Sequence, residues 1–411
     1  MSKFKSDLGS DLSTRQRSTW NKKWLLLPLV AAAALYHSAP QLCTKYGQVP
    51  TNVVHTTEKF RSNGRTELVQ WDGKSLVVKG QRIFLWSGEF HTFRLPAPEL
   101  WGDILEKTKA AGFNAISVYV HWGLVNPAPG ELDFSGFRAL DPLFKLAMKN
   151  GLWVVLRPGP YINAEVSAGG IPHWVTSEVS GHLRTNNTAY TATWEPYIDA
   201  IGDILVKGEW QVGDKSGGPV IAVQLENEYL ATRSPGHPNK APYMAALAKR
   251  FIDKGVVVPL TYNDAYMGGN YATGPIEQCK EGQEEGGDDT DARGEGRCGV
   301  EVYGVDSYPQ GFDCSNPDIW NPVQTTYADF HTRTNPNEPL YIPEFQGGAF
   351  DAWGGGTKHG WAGAGYEACR QLTGAAFAQV FNQGLWANNV RFAAPTLLFI
   401  RSTLSEYRLK W

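Results

Sequence analysis

The sequence of 411 residues is 42% hydrophobic and 12% aromatic, which excludes a disordered tail protein and supplies a large core. A net charge of −3 provides no polybasic field, so nucleic acid is excluded as a partner. The 15 Trp and 17 Tyr suit a site that stacks on flat polar rings such as sugars.

The chain opens on "MSKFKSDLGSDLSTRQRSTWNKK", polar and basic, followed by the apolar "WLLLPLVAAAALY". That order predicts a targeting leader over residues 1–45 and one globular domain over 46–411. The apolar run is shorter than the roughly 20 residues of a spanning helix and contains Pro28, which favours a cleaved secretory signal. The long polar leader favours the alternative, an uncleaved anchor that makes a single-pass type II membrane protein. Either way the domain faces an oxidising compartment, which fits the five cysteines if four of them pair.

From residue 83 onward, short apolar runs alternate with amphipathic stretches in the rhythm of βα units. Strands are predicted at 83–90, 115–122, 152–160, 220–228, 257–264, 300–308, 340–345 and 392–400. Helices fit between them, as at 97–112, with Pro98 near the start and Gly112 past the end, and at 137–151. Near-continuous apolar strands are those of a parallel sheet covered on both faces, and eight of them close a barrel. A (β/α)8 barrel of the α/β class is therefore expected. An open doubly wound sheet is the alternative, but no Gly-rich phosphate loop follows any strand.

Between the strands, Asn186-Asn187-Thr188 is a glycosylation sequon. Cys279 and Cys298 bracket an acidic, Gly-rich loop that has no apolar face to bury and would gain from a disulfide. The acidic residues of that loop lack calcium-ligand spacing, so no metal site is predicted. Cys314 and Cys369 remain, with Cys43 the odd thiol.

In a barrel of this kind chemistry belongs at the carboxyl ends of the strands. Polar residues gather there: Glu89 and His91; Tyr119 and His121; Arg157, Tyr161, Asn163 and Glu165; Asn227 and Glu228; Asn263 and Asp264; Asp306 and Tyr308; Glu344. Carboxylates on different strands, with no Ser-His pair or metal cluster, point to a reaction run by paired acids, and glycoside hydrolysis leads. No cofactor is required. The fourth strand, "VIAVQLENEYL", offers two such acids, Glu226 and Glu228, which lie two apart and would point the same way on a strand. Periodicity leaves the choice between them open.

Six segments carry a resemblance: "LWSGEFHTFRLP" (85–96), "VYVHWGLVNPAPGELDFSG" (118–136), "RPGPYINAEVSAGGIPHW" (157–174), "GGPVIAVQLENEY" (217–229), "VYGVDSYPQGFDC" (302–314) and "PEFQGGAFDAWGG" (343–355). In this order they resemble glycoside hydrolase family 35, the β-galactosidases, fungal branch. The resemblance implies a retaining exo-acting enzyme that releases terminal β-linked galactose from oligosaccharides or polysaccharides. It places the general acid/base on Glu228, the nucleophile on Glu344 and an amide donor to the sugar 2-hydroxyl on Asn227. Tyr119, Asn163, Ala164, Glu165 and Tyr308 would line the galactose pocket, although the tyrosines also read as core aromatics with a polar tip. It implies a Cys314–Cys369 disulfide as well. The chain departs from the family at Thr92 and His121, where relatives often show Pro and Asp, and His91 and His121 are expected to be structural. Beyond residue 400 the family continues into a Tyr-rich loop and β-rich domains that "RSTLSEYRLKW" does not follow, so a barrel without them is expected. A galactoside-binding or inactive homologue, or a barrel glycosidase of other sugar preference, is the alternative function.

Overall fold

The computed structural model describes residues 60–229, 241–265, 267–269, 271–272, 300–306, 326–345 and 392–395. Eight parallel strands close a barrel in chain order. They are β1 (Leu85–Glu89), β2 (Ala115–Tyr119), β3 (Trp153–Gly159), β4 (Val220–Leu225), β5 (Leu260–Ala265), β6 (Val302–Asp306), β7 (Tyr341–Phe345) and β8 (Phe392–Pro395). All eight predicted strands are present, and Phe392 and Ala393 of β8 pair with Leu85 and Trp86 of β1 to complete the ring.

The strands are apolar on both faces because both are covered. Val154, Val155 and Leu156 of β3 and Val220, Ile221 and Val223 of β4 are fully buried. At β6 even a methyl group has no room: a Cβ on Gly304 would lie 2.4 Å from the Pro343 ring and 2.7 Å from the Tyr262 carbonyl. The outer helices include α1 (Trp101–Ala110), α2 (Trp122–Val125), α3 (Asp141–Lys149), α4 (His173–Glu178), α5 (Thr188–Lys207), α6 (Ala241–Asp253) and α7 (Tyr327–Thr334). The Asn187 side chain caps α5 by accepting from the Ala189 and Tyr190 amides. Within α5, Tyr190, Trp194, Tyr197, Ile198, Ile201 and Leu205 recur at helical spacing and form its buried stripe.

A three-stranded antiparallel sheet, Val69–Trp71, Leu76–Val78 and Gln81–Ile83, precedes the barrel and was not predicted. Each of its strands has three residues, too few for an alternating pattern to stand out. The segment just before it docks where strands begin. Arg65 grips Glu301 through both guanidinium nitrogens at 2.5 and 2.9 Å, Asn63 donates to the Val257 carbonyl, and Glu301 accepts the Leu260 amide. The cysteines, Tyr308 and the leader all lie outside the described residues.

Candidate active site

The polar strand ends converge. Arg157, fully buried on β3, donates to Glu89 Oε1 (2.7 Å), Asn227 Oδ1 (2.9 Å) and Glu344 Oε1 (2.5 Å). Tyr119 at the end of β2 donates toward Asn227 Oδ1 at 2.8 Å and Glu344 Oε1 at 2.7 Å, and its ring lies 4.1 Å from the Arg157 guanidinium. Asn263 Nδ2 on β5 reaches Asn227 Oδ1 at 3.0 Å, Asp306 Oδ2 at 2.8 Å and Glu344 Oε1 at 3.2 Å. Three donors therefore meet Glu344 Oε1, the contact set of an ionised carboxylate. Glu344 sits where the pairing of β7 with β8 shifts register between Ile342 and Phe345, an irregularity of the kind that re-aims a side chain.

Asn227 Oδ1 takes three donors at once, which fixes how the amide is turned. Its Nδ2 is buried and has no partner among the described residues. That leaves one directed donor beside the nucleophile candidate.

Strand β4 stops at Leu225, three residues earlier than predicted, and this separates the two glutamates. Glu226 and Glu228 adopt left-handed backbone, φ 56° and 44°, so the expectation that they point the same way does not hold. The completely enclosed Glu226 carboxylate binds Arg184 at 2.8 Å and the Tyr243 hydroxyl at 2.6 Å. Glu228 turns instead toward Glu344 and hydrogen-bonds Asp306. Burial and the nearby Glu344 carboxylate push its pKa up from 4.5 to about 7.

The loop after β3 carries Asn163, Ala164 and Glu165, all left-handed at φ 53°, 47° and 49°. Three consecutive non-glycine residues in that region store strain. Ala164 packs with Tyr119 and Ile162, and Arg94 donates to the Ala164 carbonyl and lies 3.7 Å from the Glu165 carboxylate. Glu165 is exposed and, with His121, Leu124 and His173, lines a cleft of about 510 Å³. Tyr161 stacks against the Arg184 guanidinium at 3.8 Å and feels the charges of Glu226, Glu228 and Glu165, which links this loop to the carboxylates.

His91 is buried flat against Phe93, with ring centroids 5.2 Å apart. Burial, then Arg94 and Arg157, hold its pKa well below the ordinary value, so its 3.6 Å approach to Glu89 is that of a neutral ring. His121 meets Phe93 edge-on at 5.3 Å, and burial lowers its pKa too. Sequence reasoning named Arg157, Asn263 and Asp306 as polar strand ends but gave them no role. A single cation on an apolar strand next to several acids was the signal that could have found Arg157. Among the described residues no cluster of His, Cys, Asp and Glu could hold a metal ion.

The model of glycosyl hydrolases family 35 matches residues 75–389. The chain belongs to that family. It is 40% identical over 374 residues to a probable beta-galactosidase A of Aspergillus fumigatus, a match covering 90% of this chain and 34% of that protein. It is 40% identical over 315 residues to a beta-galactosidase of Aspergillus niger, covering 76% of this chain and 28% of that one. The chain thus spans about a third of the length of these family 35 relatives. Strands β1–β7 and the converging acids lie within the residues that the family model matches.

Proposed function

We propose that the protein hydrolyses terminal β-galactosides by double displacement, with Glu344 as nucleophile and Glu228 as acid/base. The observation that carries this reading is the contrast between the two acids, one just after β4 and the other on β7. Glu344 Oε1 is held by Tyr119, Arg157 and Asn263, whereas Glu228 has its pKa pushed up to about 7. One group suits attack and the other suits proton donation. In the first step Glu344 bonds to the anomeric carbon while the glycosidic C–O bond breaks and Glu228 protonates the departing oxygen. In the second, Glu228 takes a proton from water, whose oxygen attacks the same carbon and releases Glu344. Two inversions give net retention. The unpartnered Asn227 Nδ2 supports a hydrogen bond to the sugar 2-hydroxyl, and Tyr119, Asn163, Ala164, Glu165 and Tyr308 are assigned to the galactose pocket.

The same reading assigns residues 1–45 to a secretory leader and 46–411 to the catalytic domain. It also assigns disulfides to Cys314–Cys369 and Cys279–Cys298 and a glycan to Asn186, which is exposed just before α5. Among the described residues no helix is long and apolar enough to cross a membrane, and the apolar run on which the anchored alternative rests lies outside them.

Turnover of an aryl β-galactoside tests the activity, and azide rescue tests the roles. Glu344→Gln is expected to lose activity on all galactosides alike and, if rescued, to give an azide product of inverted configuration. Glu228→Gln is expected to lose about 10²–10⁴-fold on a sugar leaving group and far less in the first step with an activated phenol, with azide replacing water at retained configuration. The opposite stereochemical pattern would exchange the two roles. A folded protein that binds galactose and turns nothing over would be a binding homologue.

A further inference from the structure

Glu344 stands on β7 itself and is held by three donors, whereas Glu228 lies beyond Leu225, the last residue of β4. The chain turns there through left-handed Glu226 and Glu228, a conformation that persists only when its surroundings over-determine it. The backbone groups of this turn are held one by one. The Glu226 amide donates to the Gly159 carbonyl at 3.1 Å, and the Glu226 carbonyl accepts from Gln224 Nε2 at 3.0 Å. The Asn227 amide donates to Glu226 Oε2 at 3.1 Å, and the Asn227 carbonyl accepts from Arg184 Nη2 at 2.8 Å. The Glu228 amide donates to Asn263 Oδ1 at 3.0 Å. Arg184 Nη2 also donates to Glu226 Oε2 at 2.8 Å, which closes a ring of hydrogen bonds around Asn227. Arg184 reaches this turn from the segment before α5 and is itself braced: its guanidinium lies 3.8 Å from the Tyr161 ring and 5.2 Å from the Tyr229 ring, and its carbonyl accepts the Tyr229 hydroxyl at 2.6 Å. From the other side the Tyr243 hydroxyl, at 2.6 Å, orients the fully enclosed Glu226 carboxylate.

We propose that Arg184, through Glu226 and the Asn227 carbonyl, is the positioning residue that sets where Glu228 stands relative to Glu344. The proposal rests on the reading of Glu228 as the acid/base. The peptide joining Asn227 to Glu228 is held at both polar ends, the carbonyl by Arg184 and the amide by Asn263. Loss of the Arg184 bond lets that plane turn about the remaining one and carries Glu228 with it. The Asn227 side chain keeps the three donors on its oxygen, and Glu344 keeps its own, so neither depends on Arg184 for its place. The defect is therefore confined to proton transfer. A displacement of about 1 Å is enough to cost about 10²-fold in a step that needs the displaced group.

The test compares wild type with R184K and with the double variant R184M/E226Q, which removes both charges of the pair so that neither is left buried alone. In R184K the ammonium keeps a charge for Glu226 but stops short of the Nη2 position that reaches the Asn227 carbonyl. The quantity read is kcat/KM, which reports the first step, on a galactoside with a sugar leaving group and on a dinitrophenyl galactoside that leaves without a proton. On the sugar leaving group it should fall about tenfold in R184K and about 10²-fold in R184M/E226Q, with less than about threefold on the aryl substrate. Equal losses on the two substrates would mark a purely structural residue, and wild-type values on both would leave it no role; either overturns the proposal. Amide hydrogen exchange read by mass spectrometry is independent of turnover. A peptide spanning 224–229 should exchange at least about tenfold faster in both variants, while one over β1 stays at the wild-type rate. Unchanged exchange over 224–229 also overturns the proposal. Absence of galactoside turnover by wild type would sink the acid/base reading of Glu228, and exchange would still decide whether Arg184 holds the turn. Should R184M/E226Q fail to fold, a wild-type leaving-group ratio and wild-type exchange in R184K are the overturning result.

Discussion

Asn227 is the residue on which the site's hydrogen-bond directions depend. Its oxygen is shared by Tyr119, Arg157 and Asn263, and among the described residues its NH₂ group has no partner, which leaves that end to meet a ligand. Asn227→Asp should replace that donor with an acceptor and add charge beside Glu344, lowering kcat/KM on an aryl galactoside by about 10²–10³-fold while circular dichroism stays native. For Glu228 the sign of the pH effect follows from its raised pKa. In its proposed role as general acid Glu228 works while protonated, so kcat/KM on a sugar leaving group should fall as pH rises through about 7. A limb near the ordinary carboxylate range in the pH–rate profile would contradict it. The family's motifs singled out Asn227, Glu228 and Glu344, which the structure brings together, but not the reason Glu226 differs from Glu228. That reason is a strand ending at Leu225 and two left-handed residues, which side-chain periodicity does not encode.

At the scale of the elements, the eight strands were legible because burial on both faces leaves nearly unbroken apolar runs, while their ends shifted by a few residues where loops take over. How helices brace the site was not legible. Tyr197 of α5 sends its hydroxyl to the Pro158 carbonyl at 2.8 Å and the Val120 carbonyl at 3.2 Å, tying the helix to the ends of β2 and β3. Tyr197→Phe should cost about 1 kcal/mol in denaturant unfolding, since it strands buried acceptors. Glu338 plays a similar part between α7, β6 and β7: its carboxylate accepts the Tyr303 amide at 2.9 Å and its carbonyl meets His331 at 2.6 Å. Burial pushes its pKa from 4.5 to about 8, so the folded protein keeps a proton that the unfolded chain releases. That contribution is complete below about pH 4.5 and is lost as pH rises through about 8. Glu338→Gln should accordingly raise the melting temperature at pH 8 relative to wild type and leave it little changed at pH 4; equal shifts at both would contradict the assignment.

Over the whole molecule the two ends of the barrel do different work. The carboxyl end gathers acids, and the Arg65–Glu301 fork at the other joins the segment before the small sheet to the start of β6. Arg65→Ala should cost about 2 kcal/mol in unfolding free energy with little effect on a site built at the opposite end. Closure of the ring has a consequence in time. Leu85 and Trp86 are paired by Phe392 and Ala393 of β8, the last strand of the ring, so a ribosome releases seven strands before their partner exists. Until then β1 and β7 present open edges to any other chain nearby. Interruption of synthesis before residue 392 should therefore yield aggregation rather than a smaller working barrel, and the yield of native protein should depend on how fast the final strand arrives.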